Sequence, residues 1–477
     1  MHDADTLRRA IDAWHAGLTP ESAEESATWL TEQLRRRGLF FGTRPLCTVL
    51  RPRFLTRGQY QLLRDRIAIL LGAFDRALEA ALADPGGGVL DQFRLLDWER
   101  TLALEDPRIP ASPVSRLDAF FESSPSEGQD GALRFTEYNA ETPAGSAYHD
   151  ALTELFQAIP AVSPFLAGHV LQPLPARHHV VHALLEAYAR WSGRPPRSRP
   201  VVAILDWREV PTWSEFLLYR ATFEAAGIAC VVADVRDCEL VNGRLHAAGT
   251  PVDLIYKRVL IGELVGREGL DHPIVRAVRS GAVCMVNPFR CKILHKKASL
   301  AVLSDERNTG LFSPDQRAAI GEHIPWTRVV EDRGTEFKGE RIDLLPWIED
   351  NRERLVLKPN DEYGGSGIVL GWETAPDGWR AAVRKAAAEP FIVQERIALP
   401  SESFPSWDGE GGEGGEGGEG GGGGGGLVFA DRIVDTAPFV FGGTYADSCL
   451  TRVSTATLVN VTAGGGSTVP TFVVERR

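Results

Sequence analysis

From Gln59 to Ala83 the apolar residues Leu62, Leu63, Ile67, Leu70, Leu71, Phe74 and Leu78 recur at helical spacing, until Pro85-Gly86-Gly87-Gly88 stops the pattern. This predicts a long helix there and a mostly helical first hundred residues. After Pro110 the period changes. Val114 to Phe121 and Leu133 to Tyr138 predict two strands joined by a loop, Glu122 to Gly131, rich in Ser, Glu and Gly. Between Arg199 and Asn287 the apolar runs Val201–Leu205, Ala229–Ala233, Val252–Tyr256 and Ala282–Val286 are short, and a helical pattern runs from Trp213 to Ala226. Such alternation predicts a parallel, Rossmann-like sheet. Helical patterns follow at His295 to Leu303, Pro314 to His323 and Ala381 to Ala387. With the strand-like runs Leu355–Lys358, Ile368–Leu370 and Phe391–Glu395 they predict a compact α+β unit. From Gly409 to Gly426 the chain becomes EGG repeats and a glycine run, too flexible and polar to pack, which predicts a solvated, disordered loop. Leu427 to Val434 and Ala456 to Val461 return to strand-like patterning, so the loop interrupts a domain rather than ending one.

The 477 residues and 52.1 kDa suit two or three compact units. A hydrophobic share of 43%, a charged share of 24% and a mean hydropathy of -0.14 describe an ordinary soluble globular protein. The net charge of -12 includes Asp408, Glu410, Glu413, Glu416 and Glu419 of the glycine-rich segment. An acidic balance argues against nucleic acid as a partner. The greasiest run, Ile67 to Phe74, is too short to span a bilayer, and the start Met1-His2-Asp3-Ala4-Asp5 lacks a basic region followed by an apolar one. The expectation is a cytoplasmic protein with no membrane partner. Cys47, Cys230, Cys238, Cys284, Cys291 and Cys449 form no CxxC pair and no zinc-ligand spacing, which predicts buried, reduced thiols.

The segment Leu357-Lys358-Pro359-Asn360-Asp361-Glu362-Tyr363-Gly364-Gly365-Ser366-Gly367-Ile368-Val369 carries the densest chemistry. A strand ends in a lysine, and a turn with three glycines follows whose bare N–H groups can fold over phosphates while the ammonium pairs with them. The turn alone fits a hairpin needing positive φ equally well; the lysine upstream favours phosphate. No GxxxxGK[ST] occurs, and a protein kinase has its lysine after the glycine loop. A dinucleotide fingerprint is also absent, since Asp206-Trp207-Arg208-Glu209 follows the first Rossmann-like strand. A second cluster lies on the predicted hairpin. Glu137 and Asn139 are two apart on a strand and share a face, so a carboxylate and an amide oxygen can hold one hard cation, with Asp118 adding a second carboxylate. Equally, these polar residues fit a solvent-facing strand. His178, His179, His182 and Glu186 have helical spacing but no completing cluster, so they are read as the start of a helix. Asp206, Arg208 and Glu215 fit either a substrate cleft or ordinary loop and capping positions.

Lys358 with its glycine turn, the Gln394-Glu395 strand end and the Glu137-x-Asn139 pair resemble the parts of an ATP-grasp ligase. Their order differs from ordinary ATP-grasp enzymes, because the acid-and-asparagine strand comes more than two hundred residues before the lysine. It resembles that of the circularly permuted ATP-grasp proteins, relatives of the amide-forming part of glutathionylspermidine synthase. Further matches are Asn287-Pro288-Phe289 leading into His295-Lys296-Lys297-Ala298, Pro438-Phe439-Val440-Phe441-Gly442-Gly443, Thr451-Arg452-Val453-Ser454 and Val459-Asn460-Val461. The resemblance runs from about Ser115 to Val474.

The fold class it implies is α/β and α+β: a circularly permuted ATP-grasp core with a Rossmann-like pre-ATP-grasp domain and a helical N-terminal region. The expected division is residues 1–110 as that helical region, and 111–198 as the metal-binding part of the core with a helical connection. Residues 199–290 form the Rossmann-like domain, 291–397 the small or lid subdomain, 398–426 the glycine- and glutamate-rich loop, and 427–477 the remainder of the core. The resemblance implies ATP and Mg²⁺ as cofactors. Lys297 and Lys358 would contact the α- and β-phosphates, Gly364, Gly365, Ser366 and Gly367 would close over them, and Gln394, Glu395 and the main chain to Ile397 would meet adenine and ribose. The metal side would be Asp118, Glu137 and Asn139, and Arg116 and Arg452 would stand near the γ-phosphate. Lys296 adjoins Lys297 and competes for its role. The implied activity is a carboxylate–amine ligase that forms an amide through an acyl phosphate, with small-molecule or peptide carboxylate and amine substrates. The alternatives are an ATP-dependent phosphotransferase and a non-catalytic nucleotide-binding regulator. Oligomeric state is not expressed in these features.

Overall fold

A capping box starts the longest helix, Arg57–Ala83: Gln59 N donates to Thr56 Oγ1 at 3.2 Å, and Thr56 N donates to Gln59 Oε1 at 3.0 Å. In this computed structural model, which describes residues 2–123, 131–193, 199–362, 364–408, 425–456 and 466–477, the helix buries Leu63, Ile67, Leu70, Leu71, Phe74, Ala77 and Ala81. That stripe packs on the inner faces of Val114–Phe121 and Leu133–Asn139, through Leu117, Ala119, Phe135 and Tyr138. The Phe74 and Tyr138 rings lie 4.5 Å apart. Leu62, counted in the stripe by spacing, points outward instead.

The first hundred residues also contain strands, Phe40–Phe41, Arg44–Pro45 and Arg53–Leu55. The last pairs in parallel with the C-terminal strand Gly466–Arg476, through Thr471↔Arg53 and Val473↔Leu55. N-terminal and C-terminal segments therefore share one sheet. Arg51 and Arg53 hide this strand in the sequence, because both are fully buried. Arg51 Nη2 lies 2.9 Å from Glu402 Oε2, and its guanidinium stands 4.0 Å from the centre of the Phe404 ring.

Among the described residues the central sheet has nine strands. Its antiparallel path runs Ser401–Asp408, Gly426–Val434, Tyr445–Ser454, Ala437–Phe441, Val114–Phe121, Leu133–Asn139. Gly466–Arg476 joins it at Tyr445–Ser454 and also pairs with His169–Pro173. The hairpin of residues 114–139 is thus placed beside a strand more than three hundred residues later, with Arg116↔Phe439 in register. The Rossmann-like sheet is parallel throughout, in the order Cys284–Val286, Leu254–Lys257, Val202–Asp206, Cys230–Asp234. Between its second and third strands in the chain lies a small antiparallel sheet, Cys238–Val241, Arg244–Ala247 and Thr250–Pro251, which the apolar runs did not predict.

A further sheet, Thr327–Val329, Phe391–Glu395, Leu355–Pro359, Val369–Leu370, carries the lysine and the glycine turn. Helices Leu344–Asp350 and Pro376–Ala388 cover it, with Trp379 buried and its indole N–H donating to Ile348 O at 3.0 Å. The helix expected over 295–303 is divided into Cys291–His295 and Ala298–Ser304. Asn360 explains the break: its carbonyl accepts from Lys297 N at 2.9 Å and its side-chain oxygen from Ala298 N at 2.8 Å, satisfying donors that a continuous helix would have used.

All six cysteines are free, five of them buried and Cys230 half-buried. None of the helices among the described residues is long and apolar enough to cross a membrane. The strand expected at Ala456 to Val461, with the Val459-Asn460-Val461 match, falls almost wholly outside the described residues, as do Tyr363 and most of the loop Glu122 to Gly131. So does most of the EGG segment, whose flanks are nonetheless informative. Ser401–Asp408 and Gly426–Val434 form a hairpin registered from Ser401↔Ile433 to Asp408↔Gly426, so the segment joins two adjacent strand ends. Splicing Ser406 to Leu427 would remove the pairs Trp407↔Leu427 and Asp408↔Gly426. Replacing residues 409–425 with Asn-Gly, which favours two-residue hairpins, keeps the register. Since each halving of a loop recovers roughly 0.6 kcal/mol of closure entropy, the shortened protein should unfold at an equal or higher temperature, with a gain of up to about 2 kcal/mol.

Candidate active site

Between the central sheet and the lysine-bearing sheet lies a cavity of about 700 Å³. One wall presents Asp118, Glu137, Asp435 and Arg452; the facing wall presents Lys358, Gln394, Glu395 and Ile397, with Gly364 and Gly365 at its edge. Asp118 and Glu137 are cross-strand partners, so the pleat sends both to one face. Val356, Ile368, Leu370, Trp372 and Leu399 add an apolar end.

The charged groups are paired within each wall or with residues just behind it. Asp118 receives Arg116 in two-point fashion, Nε at 2.7 Å and Nη2 at 2.9 Å, and also accepts from Arg452 Nη2 at 2.9 Å and Asn139 Nδ2 at 3.0 Å. Burial alone would push its pKa up, but the two guanidiniums outweigh that and hold it at about 2. Arg452 reaches Asp435 as well, donating from Nε at 2.6 Å and from its backbone N at 2.9 Å. Asp435 stays above the usual carboxylate range because burial outweighs Arg452. Glu137 Oε1 lies 2.9 Å from Lys297 Nζ, and that lysine, working against burial, holds its carboxyl below the usual range. Lys297 also donates to Glu362 O at 2.5 Å. Lys358 donates to Gln394 Oε1 at 2.6 Å, and burial, reinforced by Lys297 and opposed by Glu137, brings its pKa down to about 8.

Most residues singled out in the sequence thus meet here. Arg116, Asn139 and Lys297 stand one bond behind the wall, on Asp118 and Glu137. Ser366 and Gly367 sit outward of the cavity and are exposed. Gly364, Gly365 and Gly367 have φ of 64°, 78° and 69°, which only glycine adopts freely, and a Cβ on Gly367 would stand 2.7 Å from Pro359 Cγ. Lys296 points elsewhere, to Glu99 at 2.7 Å and Asp361 at 2.8 Å. Glu395 lines the cavity while pairing with Lys338 at 3.0 Å.

The donor set Asp118, Glu137 and Asn139 is all oxygen and amide, which suits Mg²⁺ rather than zinc. Glu137 turns one oxygen to a lysine, whereas both oxygens of Asp118 already accept from guanidinium groups, so Asp118 is the most heavily committed of the three.

Asp435 was missed by sequence reasoning. Its signal was faint: an acid ahead of the apolar run Ala437–Phe441. The His178 and His179 rings on Arg177–Ser192 lie 3.8 Å apart, but His179 faces Asp447 at 3.4 Å while His182 stands apart and faces Glu186 at 4.0 Å. Glu215 is buried away from the cavity. It accepts from Gly145 N at 2.8 Å and Ala147 N at 3.1 Å, and faces Arg258 at 3.7 Å, fixing the loop after Asn139. Asp206 is buried, which raises its pKa to about 6, and Arg208 is exposed and paired with Asp237.

Compared with solved structures, the chain superimposes on a glutathione synthetase-like effector, GSS30, from Globodera pallida. The TM-score is 0.56 at 12% identity, covering 96% of this chain and 98% of that one. The fold is that of a glutathione synthetase-like protein. At that identity the likeness is one of fold alone. No protein-family model matches the sequence. Among curated proteins it is 25% identical over 490 aligned positions to one from Frankia casuarinae provisionally named glutamate–cysteine ligase 2-2, covering 96% of this chain and 51% of that one. It is 26% identical over 361 positions to glutamate–cysteine ligase 2-3 of Frankia alni, named in the same provisional way, covering 71% of this chain and 37% of the other. The chain thus spans about half of the first relative and less of the second, and a name given to the whole need not describe the matched part.

Proposed function

We propose that this glutathione synthetase-like chain is an ATP- and Mg²⁺-dependent ligase that joins a carboxylate to an amine. One observation carries the reading: Asp118 and Glu137 share a single cavity with Lys358 and Gln394, although more than two hundred residues separate the pairs. That convergence supports the circularly permuted arrangement, because the hairpin precedes the glycine turn in the chain yet sits beside Ala437–Phe441 in the sheet. The fold of the effector and the ligase names of both relatives agree with it.

In this reading Lys358 and Lys297 bind the α- and β-phosphates, and Gly364 to Gly367 cover them. Gln394, Glu395 and the Ile397 main chain hold adenine and ribose against the apolar end of the cavity. Glu137 and Asn139, with Asp118, hold Mg²⁺, which when bound neutralises phosphate charge. Arg452, held by Asp118 and Asp435, faces the charge that builds on the transferring group, with Arg116 behind it on Asp118 close to the γ-phosphate. A substrate carboxylate oxygen attacks the γ-phosphorus and ADP leaves. An amine then attacks the acyl carbon, loses a proton, and phosphate departs as the amide forms. The lysine-bearing sheet and its helices would close over the acyl phosphate and keep water out. Small molecules or peptide ends are the substrates and the cytoplasm the setting.

Incubation with ATP, Mg²⁺ and pooled metabolites should release phosphate together with a product whose mass equals two metabolites less one water. A phosphorylated metabolite without amide would instead assign a phosphotransferase. Nucleotide binding with neither product would assign a regulator.

A further inference from the structure

Behind the cavity lies a second ionic cluster that the proposed reaction does not use. Lys292 Nζ stands 2.7 Å from both oxygens of Asp361, 3.1 Å from Glu141 and 3.5 Å from Glu99. Lys296 Nζ bridges Glu99 at 2.7 Å and Asp361 at 2.8 Å, and Lys257 Nζ lies 3.4 Å from Glu141. Glu141, His295 and Asp361 could by spacing hold a metal ion. The Lys292 ammonium already bridges Glu141 and Asp361, however, so the acids are neutralised by lysines. Three ammonium groups meet three carboxylates, and burial keeps His295 neutral, with its pKa brought down to about 4. Every member but Asp361 is buried.

Asp361 differs in place as well, because it stands at the root of the glycine turn. Asn360 before it is fixed by four hydrogen bonds: to Pro390 O, Phe93 O, Lys297 N and Ala298 N. Glu362 after it is held through its carbonyl by Lys297. Residues 360–362, held in this way, lie directly before Gly364 and Gly365, which line the cavity. Through Glu141, two residues beyond Asn139, and Lys257, at the end of Leu254–Lys257, the same cluster reaches the metal-side hairpin and the Rossmann-like sheet.

We propose that Asp361 is a positioning residue which, through the ammonium groups of Lys292 and Lys296, seats the glycine-rich turn over the nucleotide. The inference rests on the reading of the cavity as a nucleotide site. Asp361→Asn keeps the shape of the side chain but leaves one ammonium in excess, and Asp361→Asn with Lys296→Met restores the balance of charge. In nucleotide-free protein, amide exchange across residues 364–370 should rise several-fold in both variants while the Leu344–Asp350 helix keeps its protection. Binding of a fluorescent ATP analogue should weaken about ten- to a hundredfold in both, as misplacement of a binding group does. The melting temperature should fall in the single variant and recover in the double one. Unchanged exchange over 364–370, or recovery of exchange and affinity together with melting temperature in the double variant, would overturn the proposal and leave Asp361 a charge-balancing residue. Failure of the parent protein to bind the analogue would overturn the nucleotide reading instead, and the exchange measurement still judges the seating of the turn.

Discussion

Lys358→Met is expected to weaken ATP binding by about 1.5–3 kcal/mol, roughly ten- to a hundredfold, because a charge-assisted contact to phosphate is lost while the apolar stem remains. The fold should survive. Among the described residues the Lys358 ammonium donates to Gln394 Oε1, and that amide lines the cavity, where water can replace the ammonium. The sign of the stability effect follows from linkage. Burial brings the Lys358 pKa down from 10.5 to about 8, so the folded state binds its proton more weakly than the unfolded state does. That mismatch costs stability in full below pH 8 and fades as pH rises to 10.5. The methionine variant should therefore melt at the same temperature as the parent or higher at pH 7. In the parent, affinity for ATP should decline as pH rises through about 8 and the free ammonium is lost, a decline that the variant lacks. Titration calorimetry across pH 6.5–9 measures both, and equal affinity of the two proteins at pH 7 would remove the phosphate role of Lys358.

What the sequence revealed of this site depended on distance along the chain. Lys358 and the glycines stand within ten residues of one another, and Glu137 and Asn139 within three, so local spacing was enough to single them out. The elements with strong local signals, Arg57–Ala83, Pro314–His323 and Phe391–Glu395, were legible for the same reason. The strand Arg53–Leu55 was not, because buried arginines read as surface until Glu402, some 350 residues away, is placed beside them. Asp435 was hidden for a related reason: its partner Arg452 lies 17 residues further on, in Tyr445–Ser454, and the placing of that strand beside it cannot be read from spacing. The small hairpin at 238–247 was a different kind of miss. Asn242-Gly243, with φ of 50° and 76°, joins Cys238–Val241 to Arg244–Ala247 and is a strong local turn signal that the search for apolar runs passed over.

Arg452→Met should have the largest effect on both stability and activity. The guanidinium sits between Asp118 and Asp435, both buried, and removing it leaves Asp435 without its cation while Asp118 retains Arg116. Removal of one partner from a buried ion pair typically costs about 3–5 kcal/mol, and the lower end applies here because Arg452 is partly exposed. The pH dependence distinguishes this cause from loose packing. Asp435 already titrates above the usual carboxylate range, and without Arg452 burial would raise it further. A carboxyl whose folded pKa exceeds its unfolded value costs stability above the folded pKa and regains it as pH falls toward the unfolded one. The gap between parent and variant in urea should accordingly narrow from pH 8 to pH 5.5. Turnover should fall by about a hundredfold or more if the guanidinium faces the charge on the transferring group. Arg452→Lys, which keeps the charge but loses the fork that reaches both acids, should recover most of the stability and little of the turnover. A gap that stays constant or widens on acidification would show that Asp435 is not the group left uncompensated, and full turnover in the lysine variant would place Arg452 outside the reaction.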